Sequence, residues 1–156
     1  MSDESSTEEA GEQQPVFALD RVYVKDLSFE SPNVPEMFAT QGQPELNVEL
    51  GTEGRVVSDQ GHVESVLTVT VRSTFEERTV YIAEVQQAGL FRMQGIPEEQ
   101  MERLMGINCP TILFPYAREA ISGAVLRGGF QQVLLDPVNF QALYEQSREP
   151  AEGQEH

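Results

Sequence analysis

The sequence predicts an α+β fold, a four-stranded antiparallel sheet with C-terminal helices packed on it. Two observations favour this fold class. In the first half of the chain apolar residues recur at every second position, which is the period of a half-buried strand. In the last third they recur three or four positions apart, between residues that typically begin and end helices. Strands that are followed by helices, rather than alternating with them, are typical of α+β proteins.

Four segments have the alternation expected of strands. The clearest covers residues 63–75, where Val69 and Val71 share one parity with other apolar side chains. The predicted strands are 17–29, 46–50, 63–75 and 79–91. The residues Phe75-Glu-Glu-Arg78 predict a tight hairpin, whereas Gly51–Gly61 predicts a looser connection. The two prolines of Ser31–Pro35 end the first strand, because proline is excluded from paired central strands.

Three segments of the last third predict helices. Pro97, followed by two glutamates, opens a short helix that ends near Gly106. Residues 111–127 predict a longer helix, with Gly128-Gly129 as its stop signal. Asp136-Pro137 predicts the start of the last helix, with the aspartate as N-cap and the proline as the first helical residue.

The charge balance limits the kinds of partner. The chain has 156 residues, of which 26 are acidic and 10 basic, so its net charge is −16. This excludes nucleic acid and anionic membrane surfaces and favours a basic protein segment. Residues 1–15 and 147–156 are predicted to be disordered acidic tails around a folded domain, 16–146. No secretory signal and no run of about 20 apolar residues is present, so we expect a cytoplasmic protein that does not insert into the membrane.

No group of residues has the composition of a catalytic or metal site. A nucleophilic pair would require Cys109, the single cysteine, to meet His62 in the fold. The sequence has no glycine-rich phosphate loop, since Gly128-Gly129 fits better as a helix stop. We therefore predict a protein that is not an enzyme and that uses no metal or cofactor.

The first predicted strand carries acidic residues of one parity. The residues of that parity are Asp20, Val22, Val24, Asp26, Ser28 and Glu30. Alternation predicts that their side chains share one face of the sheet. Two interpretations remain open: an ordinary solvated face, or a docking surface for a basic partner.

Apolar residues also cluster in irregular segments. Met37-Phe38 follows the proline turn, and further methionines and aromatics lie between Leu90 and Ile107. Such residues form either an adaptable binding groove or ordinary core. A stripe of small residues in the longer predicted helix also has two interpretations: it packs on the sheet, or it packs on the same helix of another subunit. The residues are Ala117, Ala120, Gly123 and Ala124. The large share of apolar positions favours an oligomer.

Several runs resemble the SecB family, the bacterial export chaperones of the Sec pathway. The resembling runs are Phe17–Glu30, Ser31–Pro35, Glu84–Gly89, Cys109–Glu119 and Leu135–Phe140. The most specific is Cys-Pro-Thr-Ile-Leu-Phe-Pro-Tyr-Ala-Arg-Glu at 109–119. The resemblance covers about residues 17–146, which leaves out only the acidic ends.

The resemblance implies a fold, an activity and partners. The family fold is a four-stranded antiparallel sheet with a crossover after the first strand, assembled as a homotetramer, a dimer of dimers. Its members hold unfolded precursor proteins in apolar grooves without ATP and deliver them to the translocase motor SecA. The SecA-binding positions correspond here to Asp26, Glu30, Phe75 and Glu77, which would meet a basic, zinc-containing tail of SecA. Strict alternation places Phe75 on the side of Val69 and Val71, unless the hairpin end releases it.

The groove for unfolded clients is predicted to combine the proline-turn segment, the region 90–107 and the last helix. Its predicted lining residues are Met37, Phe38, Leu90, Phe91, Met93, Ile96, Met101, Leu104, Phe140 and Leu143. The chain departs from the family pattern at one position, since Gly42 stands where a tryptophan precedes the Gln-Pro pair. We expect either a missing aromatic wall there or its replacement by Phe38.

Two other functions are weighed against this prediction. A structural adaptor for one folded basic partner shares the acidic face but needs no promiscuous groove. An enzyme is the third class, and it would depend on Cys109. Broad binding of unrelated unfolded proteins separates the chaperone from the adaptor.

Overall fold

The computed structural model describes residues 14–148, which form one antiparallel sheet and three α-helices. The strands are β1 (Val16–Glu30), β2 (Glu45–Val56), β3 (His62–Phe75) and β4 (Arg78–Gln94). The helices are α1 (Glu98–Arg103), α2 (Cys109–Arg127) and α3 (Phe140–Ser147), and a π-helical turn (Leu104–Asn108) joins the first two. The predicted α+β fold is confirmed. The tails predicted at 1–15 and 147–156 lie outside the described residues, except for two residues of each.

The order of strands in the sheet is β1-β4-β3-β2, so the chain crosses the sheet after its first strand. The crossing segment, residues 31–44, includes a 3₁₀ turn (Glu36–Ala39). Two side chains fasten it to the start of β4: Ser31 Oγ donates to the Val80 carbonyl at 2.8 Å, and Asn33 Nδ2 donates to the Thr79 carbonyl at 2.9 Å. The crossover leaves β1 and β2 as the two edges of the sheet.

The core lies on one side of the sheet, which we call the helix face. Leu67 of β3 and Phe91 of β4 are fully buried there, against Leu113 and Ile121 of α2. The opposite side, the open face, carries the other parity of β3 and β4 and is largely polar. Because α2 lies mainly on β3 and β4, the edge strands keep much of their apolar surface exposed.

Strand β2 is longer than predicted. Residues 51–56, expected to lie in a loop, pair with β3 as far as the Val56–Val63 pair. A Cβ on Gly54 would lie within the van der Waals distance of Met105 Cε, so this glycine permits close approach of the π-helical turn rather than a bend. Glycine at that position therefore indicates packing, and the prediction of a long loop was wrong.

The last helix begins later than predicted. Its N-cap is Asn139, whose side chain accepts a hydrogen bond from the Ala142 amide at 3.0 Å. Asp136 and Pro137 instead lie in an irregular segment before the helix. Aspartate and asparagine are both favourable N-cap residues. Asn139 is the N-cap here because its side chain accepts the hydrogen bond from the Ala142 amide.

Candidate functional site

A cavity of about 550 Å³, lined by apolar and uncharged polar side chains, opens on the helix face between the crossing segment and the residues after α2. Its lining residues are Met37, Phe38, Thr40, Gly42, Gln43, Pro44, Leu46, Ser73, Val80, Tyr81 and 129–134. Leu134 is 76% exposed and Phe38 is 51% exposed, so the rim presents apolar surface to solvent. A concave site with such a rim can take up apolar side chains from an incoming chain.

Aromatic rings form one wall of this cavity. Phe130 stands 5.0 Å from Phe38 and 5.2 Å from Tyr81 between ring centroids, and Phe29 stacks on Tyr81 at 5.7 Å. Tyr81 is buried, and that burial raises the pKa of its hydroxyl. The cluster gives the cavity a broad apolar surface without a charged group, which suits binding of varied apolar side chains.

Gly42 lines the cavity and lies beside Phe75. Its φ is +130°, and a Cβ there would approach Phe75 Cε1 to 2.9 Å. The ring of Phe75 occupies the space beside it and is half-buried, so strict alternation holds and Phe75 stays on the helix face. Phe75 does not line the cavity, so the cavity's aromatic lining comes from Phe38, Tyr81 and Phe130.

The acidic residues of β1 lie together on the open face. Asp26, Ser28 and Glu30 pair with Gln86, Glu84 and Ile82 of β4, which all have side chains on that face. Asp20, nearer the start of β1, forms a bidentate pair with Arg92 on the same face, both distances being 3.0 Å, and this pair lowers the pKa of Asp20. The predicted acidic face is therefore assembled by the sheet.

Val22 and Val24 do not share that face, contrary to the prediction. Register shifts between Leu19 and Arg21 and between Val24 and Asp26 each insert one extra residue into β1. Each bulge reverses the alternation, so the two valines pair with Gly89 and Gln87 on the helix face. The two reversals cancel, so Asp20 and the acids that follow the second bulge lie on the same face.

The tight hairpin between β3 and β4 is confirmed. Glu76 and Glu77 form its two-residue turn with φ of 52° and 66°, the conformation of a type I′ connection. The crossing segment links this turn to the end of β1, since Arg78 donates to Asn33 Oδ1 at 3.3 Å. Glu30 and Glu77 thus lie at the same end of the sheet.

Comparison with known proteins gives the family. The family model described as "Preprotein translocase subunit SecB" matches residues 10–151. The chain belongs to the SecB family. The protein-export protein SecB of Dechloromonas aromatica is 54% identical over 145 residues, covering 90% of this chain and 95% of that protein. The protein of the same name in Azoarcus sp. (strain BH72) is 50% identical over 141 residues, covering 90% and 93%.

A solved structure gives the same fold. The SecB-like chaperone of Mycobacterium tuberculosis, solved with a ChAD peptide from the HigA1 antitoxin, superposes with a TM-score of 0.64. It is 14% identical in sequence, and the match covers 85% of this chain and 91% of that one. At this identity the likeness concerns the fold, whereas family membership rests on the sequence matches. The prediction of a protein-export chaperone of the SecB family is confirmed.

The residues predicted for the groove do not form one surface. Met37 and Phe38 line the cavity, but Phe91, Met93 and Phe140 are buried in the core, with at most 4% of each exposed. Because their own domain encloses these three side chains, they offer no surface to a client in this structure. Leu90, Ile96, Met101 and Leu104 are half-buried, Leu143 is exposed, and none of the five lines the cavity.

Several cavity residues were missed by the sequence prediction. Tyr81 and Phe130 form the aromatic wall, and Leu46 and Leu134 supply exposed apolar surface at the rim. One signal was available: after the glycine stop of a helix, Phe130 and then 133–135 are apolar, with two glutamines between them. Tyr81 carried no such signal, since it belongs to a strand whose two faces are both mixed.

Cys109 lies fully buried at the start of α2. Burial raises the pKa of its thiol to about 12, against a lowering by the hydrogen bond with Ser65. Thiolate is the reactive form of cysteine, so this residue has the character of a core side chain. Within residues 14–148 no group of three or more His, Cys, Asp or Glu residues is placed to hold a metal ion. Nor does that part of the chain contain a helix long and apolar enough to span a membrane.

Glu64 is a buried carboxylate on the open face of the sheet. Tyr23 donates to it at 2.6 Å, Arg55 at 3.1 Å and Lys25 at 3.2 Å, so β1, β2 and β3 meet at one side chain. The hydrogen bond from Tyr23, followed by those from Lys25 and Arg55, holds the pKa of Glu64 below its ordinary value of 4.5, against the effect of burial. This network connects the edge strands β1 and β2 to the central strand β3.

We expect Glu64→Gln to lower the free energy of unfolding at pH 7 by about 1.5–3 kcal/mol, the range for hydrogen bonds to a charged group. A depressed native pKa stabilises the fold above the unfolded-state value near 4.5, and this contribution is lost as the pH falls through the native pKa. The variant should therefore lose less stability between pH 6 and pH 3, roughly the range over which carboxylates protonate. Urea unfolding over that range measures both effects. Glu49→Gln, an exposed acid of β2, is the matched control, and an unchanged acid dependence in Glu64→Gln would contradict the assignment.

Proposed function

We propose that this chain is an ATP-independent holdase that keeps precursor proteins unfolded in the cytoplasm and delivers them to SecA. The observation that carries the proposal is the uncharged cavity with an aromatic wall and exposed apolar side chains at its rim. A site lined by apolar rings and methionine accepts many side chains and selects weakly among them, which suits a protein that must bind unrelated unfolded chains.

Assembly into a homotetramer would multiply these sites. The surfaces that support assembly are the apolar side chains left uncovered on the helix face of β1 and on α2. Leu19, Val24 and Leu27 of β1 are each at least 37% exposed, as are Tyr116 and Leu126 of α2. Several weak sites on one particle raise the effective concentration for each further segment of a bound client, so a long client binds tightly without a strong single site.

The acidic open face supports the assignment of the SecA-docking surface. Asp26 and Glu30 are exposed there, while Glu77 and the half-buried Phe75 lie at the hairpin near the end of β1. A basic tail would contact the carboxylates on the open face, and it would reach Phe75 on the helix face only by passing around the hairpin end. Complementary charge of this kind accelerates and orients the encounter, and it weakens with salt.

Light scattering tests the holdase directly. An unfolded, aggregation-prone precursor is diluted into buffer with this protein and without nucleotide, and we expect scattering to be suppressed near one tetramer per client. The matched variant Phe38→Asp, which places a charge on the exposed rim of the cavity, should suppress scattering less at equal concentration. A folded, tetrameric protein that leaves scattering unchanged would contradict the holdase and favour an adaptor for one basic partner.

A further inference from the structure

A group of basic side chains lies at one end of the open face, where β1 begins. The register places Arg21 of β1 and Arg55 of β2 in one row across the sheet, which also contains Glu64 of β3. Arg92 of β4 lies in the next row toward the start of β1, opposite Ala18. We call this group the basic end. Its members are Arg21, Lys25, Arg55 and Arg92.

The carboxylates in contact with the basic end are shared among its cations. Asp20 accepts both hydrogen bonds of Arg92, at 3.0 Å each. One oxygen of Glu64 accepts from Lys25 at 3.2 Å and from Arg55 at 3.1 Å. The side chains of these last two cations are 39% and 66% exposed. A single carboxylate that serves two cations balances only part of their charge, so both still attract an anion from solvent.

Arg21 adds an exposed guanidinium that makes no ion pair within residues 14–148. Two further acids lie near the basic end, Glu53 in the next row of β2 and Asp59 in the turn before β3. Four cations therefore stand beside four carboxylates here, in a chain whose acids outnumber its bases by 26 to 10. This part of the open face repels an acidic segment least.

The opposite end of the open face, together with the β3–β4 turn, is strongly acidic. Only Arg72 and Arg78 lie among its carboxylates in the described part of the chain. The acids are Asp26, Glu30, Glu45, Glu49, Glu76, Glu77 and Glu84. The open face is thus polarised along the strands, and an anionic segment is driven toward the basic end.

The chain enters the sheet at the basic end. Val16, the first residue of β1, pairs with Gln94, two residues from Arg92. Gln14 lines a cavity together with residues 59–61 of the turn before β3, so the chain arrives across this end of the sheet. The preceding residues, 1–13, contain five acids and no base. Thirteen extended residues span about 45 Å, whereas four strands are only about 15 Å wide. The acids can therefore reach every cation of the basic end.

We propose that residues 1–13 dock on the basic end of the open face of the same chain. In this arrangement Glu12, close to the point of entry, lies beside Arg92, and Glu9 reaches Arg21. Exposed ion pairs are weak singly, but a short tether holds the segment at an effective concentration of about a millimolar or more. The inference goes beyond the export function and needs neither a client nor SecA. It replaces the solvated tail that composition alone predicts with a bound segment.

Charge and position favour this segment over other acidic occupants. Residues 149–156 carry three acids rather than five, and they follow α3, which packs on the π-helical turn. The acidic end of another particle would have to overcome the repulsion between chains that each carry −16. A docked segment leaves the open face acidic throughout. It thereby keeps the basic end of one particle from pairing with the acidic end of another.

Zero-length crosslinking of the full-length protein tests the docking. A carbodiimide joins carboxylates to amines, and Lys25 is the single lysine of the chain. At low salt we expect peptide mapping to find Lys25 joined to acids of residues 1–13. Links from Lys25 to Glu53, which lines the same cavity, are the internal reference. In 1 M salt, where charges are screened beyond about 3 Å, links to 1–13 should fall at least about fivefold against that reference. Reference links without any link to 1–13 would overturn the proposal.

Matched variants test which cations hold the segment. Arg21→Gln should reduce the links to residues 1–13 roughly two- to fivefold, the range for one exposed ion pair. Arg72→Gln removes the same charge from an exposed position at the acidic end of the same face and should leave the links unchanged. Equal reductions in both variants would overturn the assignment to the basic end. When isotope-labelled and unlabelled chains are refolded together, links that join unlike chains would overturn docking within one chain.

A spin label gives a second measurement that does not depend on Lys25. Attached at Thr7→Cys, it should broaden the amide signals of Arg21 and Arg92 and spare those of Asn47 and Arg72 at the acidic end. The native Cys109 is fully buried, so the label goes to the introduced thiol. The same label at Gln154→Cys is the control and should spare the basic end. Equal broadening at both ends of the open face would overturn the docking.

Discussion

Phe91→Ala is expected to lower the free energy of unfolding by about 3–5 kcal/mol, the cost of emptying a fully packed aromatic site. The ring is fully buried and stacks on Phe17 with centroids 5.6 Å apart and planes inclined by 4°. It also fills the space beside Gly89, where a Cβ would come within 2.7 Å of Phe91 Cε1. Urea unfolding at one fixed protein concentration measures the loss, because assembly would make stability depend on concentration.

Two further variants test whether the lost free energy of unfolding comes from removing a core side chain. Leu90→Ala changes the neighbouring half-buried side chain on the open face, and it should cost less than Phe91→Ala. Phe38→Ala removes a half-exposed ring of the cavity rim, so it should weaken client holding at little cost in stability. If Phe91→Ala instead weakened client binding while the free energy of unfolding stayed within about 1 kcal/mol, Phe91 would belong to the groove after all.

Alternation predicted most of the sheet because β2 and β3 pair without a shift, and β3 and β4 keep one register from His62 to Ser73. Residues 63–75 place Leu67, Val69 and Val71 in the core as their parity requires. Strand β1 could not be predicted in the same way, since its two bulges leave no distinctive residue in the sequence. The acids lie on one face, the open face, as predicted, whereas Val22 and Val24 lie on the helix face. The position of each bulge depends on how β1 pairs with β4, which is distant in the sequence.

The cavity was predicted less well than the sheet for a related reason. Apolar composition placed Met37-Phe38 in the groove and gave the same signal for Phe91 and Met93, yet only Phe38 of these four side chains is exposed. Whether an apolar side chain is core or groove depends on what covers it, and α2 covers β3 and β4 but not β2. The aromatic wall of Tyr81 and Phe130 joins segments that are distant in sequence, so only the folded chain reveals it.

The double variant Asp26→Lys, Glu30→Lys is expected to weaken SecA binding at low salt by at least about tenfold, mainly through slower association. Both side chains are exposed on the open face, and neither is in an ion pair within the segment 14–148, so the fold should tolerate their reversal. Client holding should persist, because the cavity opens on the opposite face. Binding kinetics at increasing salt measure the effect, and the wild-type protein should lose affinity more steeply than the variant.

The control for that experiment separates position from net charge. Glu98→Lys, Glu99→Lys makes the same change in charge at exposed residues of α1, away from the acidic face of β1. If docking depends on the local surface, this control binds SecA nearly as well as the wild-type protein. Equal weakening in both variants would mean that the charge of −16 acts as a whole and that Asp26 and Glu30 hold no special position. Unchanged SecA affinity in the first variant would remove the docking surface from β1, because a basic tail cannot be indifferent to two carboxylates that it contacts.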